Sequence, residues 1–97
     1  MEKQNENQMN IELSEEVSNG VYSNLAIITH SPTEFVADFV QMMPGVPKGK
    51  VRSRVIMTPQ NAKRLLEALQ DNIQKYEQTF GRIDTGNTPP MPPMNFG

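Results

Sequence analysis

Three residues of this chain are spaced as if for chemistry. In the stretch HSPTEFVADFVQMMPG, the single histidine His30 is followed by Glu34 and then Asp38, each four residues further on. On a helix, positions four apart share a face. One imidazole with two carboxylates is the beginning of a metal site or an acid–base pair. The geometry fails at its first member. Ser31-Pro32-Thr33-Glu34 is a capping-box signature with proline at the first helical position, so a helix starting there leaves His30 outside its ladder. If the segment is a strand instead, Ser31-Pro32 turns the chain and His30 need not face Glu34. Both readings make His30 a turn or surface residue, with no catalytic, cofactor-binding or metal role expected.

A second pattern is the stronger one. In KGKVRSRVIM, Lys48, Lys50, Arg52 and Arg54 alternate with Val51, Ser53, Val55 and Met57. On a strand the two sets face opposite ways, which lays a basic ladder along one face. Such a stripe is a candidate partner-binding surface, for an acidic protein groove or for a phosphate backbone. The competing and favoured reading is internal neutralisation. A hairpin turning at Gly45–Val46 sets Asp38 opposite Arg54 and Val40 opposite Arg52, and cross-strand charge pairs stabilise sheets. No aromatic residue is interleaved with the basic ones, so a stacking platform for single-stranded nucleic acid is poorly supported.

The rest of the composition narrows the field further. A formal net charge of −2 gives no global pull toward nucleic acid or anionic membrane. With no cysteine, thiolate chemistry and disulfides are excluded. There is no glycine-rich phosphate loop and no nucleophile elbow, so no enzyme activity and no cofactor are expected. The opening MEKQNENQMN has no apolar signal-peptide core, and no run of residues suits a membrane span. A cytoplasmic protein is the expectation.

The elements that must carry these residues are legible to different degrees. TPQNAKRLLEALQDNIQKYEQTFG predicts a helix over 59–80, with Thr58 as N-cap, Pro59 at the first position and Gly81 as the stop. Along it Ala62, Leu66, Leu69, Ile73, Tyr76 and Phe80 recur at intervals of four and three, a heptad seam widened by Leu65. That seam packs either on the chain's own sheet or between chains. VYSNLAIIT, residues 21–29, predicts a strand apolar on both faces. Ile11 and Leu13 suggest an edge strand, and the SEEVSNG that follows is one helical turn or a loop. Residues 48–57 form a strand, preceded by a turn in MPGVPKG. For 32–43 local rules slightly favour a short helix, with Phe35, Val36, Phe39, Val40 and Met43 as its stripe.

Residues 1–10 are polar, and 84–97, DTGNTPPMPPMNFG, are rich in proline and methionine; both read as disordered tails around a single domain at 11–83. The last residues, PPMPPMNFG, have the composition of a short docking peptide. A domain of roughly 70 residues buries only about 60% of its chain surface, which makes self-association, as a homodimer or higher oligomer, an expectation before any motif is considered.

Several blocks in order, YSNLAIITHSPTEFVADF, a Pro-Gly turn, and VRSRVIMTPQNAKRLLEALQDNIQKYEQTFGRI, resemble the small bacterial and archaeal proteins grouped as domain of unknown function 3467. The likeness covers about residues 20–83. It implies an α+β fold, a three- to four-stranded antiparallel meander followed by one long C-terminal helix, and brings no catalytic residues. It tips 34–42 to a strand paired with 50–57. The plan is similar to the protomer of the export chaperone SecB, an oligomer. The resemblance also implies a transcription partner, since some relatives are encoded beside a large RNA polymerase subunit. The expected function is non-enzymatic protein binding as an accessory or adaptor, with RNA polymerase as a partner. A SecB-like holdase is the alternative, and a nucleic-acid-binding module using 48–54 ranks third.

Overall fold

The computed structural model describes residues 9–86 and places in chain order α1 (Glu15–Ser18), β1 (Leu25–His30), β2 (Phe35–Gln41), β3 (Lys50–Met57) and α2 (Pro59–Phe80). The expectations for residues 1–8 and 87–97, among them the PPMPPMNFG peptide, lie outside the described residues. The strands form one antiparallel sheet in the order β1-β2-β3. This is the α+β meander with a C-terminal helix, in its three-stranded form. Ile11 and Leu13 belong to no strand, and α1 is a single turn capped by the Ser14 hydroxyl, which accepts from Val17 N–H at 3.2 Å.

Two turns set the meander. Between β1 and β2, Ser31 N–H donates to the Glu34 carbonyl at 2.8 Å, and its hydroxyl accepts from the Thr33 and Glu34 amides at 3.3 and 3.2 Å. The capping-box residues thus close a four-residue loop in place of a helix end. The same local hydrogen bonds serve either outcome, and pairing on both sides of Phe35–Gln41 selects the strand. Between β2 and β3, Val46 N–H donates to the Met43 carbonyl at 3.1 Å across Pro44-Gly45, with Gly45 at φ +78°. Proline followed by a left-handed residue is the pattern of a type II turn.

Asn24 lengthens the sheet by one step without being in it. Its backbone N–H donates to the Val40 carbonyl, while its side-chain amide donates to the Met42 carbonyl at 2.9 Å and accepts from Met42 N–H at 2.8 Å. The side chain thus mimics a strand residue beside the end of β2.

The helix α2 runs as its sequence signals predict. The Thr58 hydroxyl accepts from Asn61 N–H at 3.1 Å, Pro59 stands in the first turn, and Gly81, at φ +95°, ends it with an N–H to the Glu77 carbonyl. No residue of α2 is buried. In the described residues the fully buried apolar side chains are Ala37 and Val40, both on β2.

Gly45→Ala forces a Cβ into the left-handed region, at a cost of about 1–2 kcal/mol. Urea unfolding of this variant should show a lower midpoint with an unchanged slope. An unaltered midpoint would mean that the turn tolerates another conformation.

Candidate partner-binding surfaces

The charged centre of the sheet is a fork. Arg54 Nε donates to Asp38 Oδ1 at 2.6 Å, and Arg54 Nη2 donates to Oδ2 at 2.9 Å. Asp38 is 1% exposed, whereas the Arg54 side chain is 55% exposed. The pair stands directly across the β2–β3 ladder, Asp38 opposite Arg54. Two parallel N–H···O bonds to one carboxylate fix the geometry as well as neutralise the charge. The guanidinium holds the Asp38 carboxyl below its ordinary value, chiefly through these hydrogen bonds and against the opposing effect of desolvation. Arg54 is raised in turn by the same hydrogen bonds.

The basic ladder does not survive as one stripe. A register shift between Phe39 and Val40 sets Val40 opposite Val51 and Gln41 opposite Lys50. Arg52, expected opposite Val40, is the extra residue of this bulge. A bulge inverts the alternation beyond it. Lys50, opposite Gln41, therefore shares a face with Phe39 and Ser53, and Arg54 faces the other way with Asp38. Lys48 precedes the strand. The four cations are exposed, but they make no continuous face.

The His30, Glu34, Asp38 constellation also separates. His30 pairs with Phe35, and their rings stack at 5.3 Å. Glu34 belongs to the turn. Asp38 lies on the opposite face of the sheet from His30, because its neighbour on β1 is Ile27 and not Ile28.

One concave feature among the described residues is apolar. Ile28, Phe35, Ala37 and Met57 on one face of the sheet, with Ala62 and Leu66 of α2, wall a cleft of about 610 Å³. It opens on the face opposite the Asp38–Arg54 fork. Of the heptad seam, Ala62, Leu65, Leu66 and Leu69 reach the cleft, while Ile73, Tyr76 and Phe80 lie outside its lining. Tyr76 and Phe80 form a tilted aromatic pair with centroids 5.0 Å apart, and Phe80 is 73% exposed. The seam residues were visible in the sequence; that Ile28, Phe35 and Met57 would share a cleft with them was not, because it depends on where the helix leaves β3. A second apolar surface is the N-terminal arm, where Ile11, Leu13, Val17, Val21 and Tyr22 are all exposed.

A family model matches residues 1–85, nearly the whole chain. The chain belongs to the family described as protein of unknown function DUF3467. No curated protein and no solved structure shows a significant match. The family description carries no activity, so the surfaces themselves must support the functional reading. Among the described residues, no helix is long and apolar enough to cross a membrane.

Because the carboxyl of Asp38 is depressed, the fork's contribution to stability is fully present well above the ordinary value of 3.8 and is lost as pH falls through the lowered folded-state value. Wild type and Asp38→Asn should therefore differ in thermal midpoint at pH 7 and converge as pH is taken down below the ordinary value of 3.8. At neutral pH, Asp38→Ala and Arg54→Ala should couple in a double-mutant cycle. Strict additivity would show that the fork contributes nothing beyond its parts.

Proposed function

We propose that this chain is a non-enzymatic protein-binding adaptor of the cytoplasm, which holds its partner by apolar contact and not by charge. The observation that carries this reading is the N-terminal arm. Ile11, Leu13, Val17, Val21 and Tyr22 lie on either side of and within the single turn of α1 and stay exposed, and the arm leads directly into β1, whose outer edge pairs with no strand among the described residues. Several large apolar side chains left exposed within one short segment are candidates for an interaction site, and a free strand edge is a common place for a partner segment to add. Dispersal of the basic residues over two faces weighs against a nucleic-acid reading, which needs a continuous basic track.

RNA polymerase is the partner to test first, on the resemblance that groups such chains with transcription. Purified polymerase should retain the protein at a fixed stoichiometry, and Ile11→Asp with Leu13→Asp should abolish retention while leaving the circular dichroism spectrum unchanged. Suppressed aggregation of unrelated unfolded proteins, without retention, would favour a holdase. Binding to nucleic acid that weakens steeply with salt would reverse the ranking.

A further inference from the structure

We propose that the cleft is completed by the far half of α2 from a second copy of this chain, laid antiparallel, so that the folded unit is a dimer built on a two-helix seam. This is independent of which outside partner the arm engages.

The seam is self-complementary in only one direction. Taking Leu66, Ile73 and Phe80 as one heptad set and Ala62, Leu69 and Tyr76 as the other, an antiparallel partner sets Ala62 against Phe80, Leu66 against Tyr76 and Leu69 against Ile73. The smallest seam residue thus meets one of the largest. Ala62 also lines the cleft, so the partner's Phe80 and Tyr76 arrive at the cleft that their own chain's Phe80 and Tyr76 do not reach. An in-register parallel pair would instead stack Phe80 on Phe80 and Ala62 on Ala62, overfilling one end and leaving a void at the other.

Charge selects the same direction. In the antiparallel pair the residues flanking the seam on one side are Lys63 against Glu77, twice by symmetry, with Gln70 meeting Gln70 between them. On the other side Leu65 meets Thr79 and Asn72 meets Asn72. Among the described residues neither Lys63 nor Glu77 is in an ion pair within its own chain, although Glu77 Oε2 accepts from Ile83 N–H at 2.9 Å, which leaves its other oxygen for Lys63 of the second copy. The parallel arrangement would place Leu65 beside Gln70 and Asn72 beside Glu77, with no charge complement. The helix's own ion pair, Lys75 to Asp71 at 2.9 Å, falls on the side away from the seam, as a solvent-facing pair should. The 22 residues of α2 span about 33 Å, or three heptads, enough for such a seam when the sheet supports each end.

The test uses the full chain alone. Light scattering at tens of micromolar should give an even multiple of the 10.9 kDa chain mass; a clean monomer overturns the proposal. Lys63→Glu and Glu77→Lys should each weaken the dimer roughly five- to thirtyfold, as two attractive pairs become repulsive, and the double variant should regain wild-type affinity. Failure of the double variant to recover overturns the register. Because the chain has no native cysteine, Leu65→Cys mixed with Thr79→Cys gives a test that does not depend on those charges. A mixed disulfide supports the antiparallel seam, and disulfides between identical variants overturn it. None of these measurements involves polymerase, so a failed capture and a failed dimer remain distinct results.

Discussion

Everything in the sheet is referred to one buried carboxylate. Asp38 lies at the middle of the central strand, with a neighbour on each side. A charge there is tolerated only because Arg54 grips both oxygens. This makes the β2–β3 register nearly unique. A slip of β3 by one residue would turn Arg54 to the other face, with Phe35, Ala37 and Phe39, and leave the buried Asp38 without its partner. The bulge at Phe39–Val40 is consistent with that priority. Beyond the fork the ladder resumes with Val40 on Val51, so an apolar pair replaces the Val40–Arg52 pairing that unbroken alternation would impose.

What the sheet lacks is cover. Ala37 and Val40 are the fully buried apolar side chains among the described residues, whereas Leu65, Leu66, Leu69, Ile73, Tyr76 and Phe80 are all 40% exposed or more. The hydrophobic effect scales with apolar area removed from water, and α2 in a single chain removes little. The helix itself is well made, with its cap, its first-turn proline and its terminal glycine in place. Short helices draw most of their stability from packing and not from intrinsic propensity. A carefully terminated amphipathic helix with no buried residue of its own is what the proposed two-helix seam would cover.

How much of this could be read from the sequence follows from the range of the forces involved. α2 was legible to the residue, because Thr58, Pro59, Gly81 and the four-three spacing are all local signals. The β2 strand was not legible from local rules. Ser31, Thr33 and Glu34 form the same hydrogen bonds at a helix start and in a tight loop, and only pairing with β1 and β3 separates the two. The Asp38–Arg54 opposition was reached because the count took opposite residues to sum to about 92, which is the sum the ladder has on the turn-distal side of the bulge; nearer the turn, at Val40–Val51 and Gln41–Lys50, the sum is 91. The Val40–Arg52 opposition failed on the same count, because no residue type in VRSR announces a bulge. The basic ladder was an artefact of assuming unbroken alternation. Asn24 was missed because its strand-like role comes from a side chain reaching Met42, eighteen residues away in sequence.

The two faces of the sheet therefore divide the work by range of force. The fork acts at hydrogen-bond distance. It consumes Arg54, the last cation of the alternating series, and the bulge turns Lys50 to the other face. Long-range charge attraction, which steers nucleic acid and acidic partners, is thereby reduced on the face that seemed built for it. On the adaptor reading proposed above, short-range apolar contact is then the dominant means of recognition, on the cleft, on α2 and on the N-terminal arm. Contact of that kind gains little until surfaces fit, so it favours partners of fixed shape. A second copy of the same helix, whose small end matches its own large end, meets that requirement with no further protein involved.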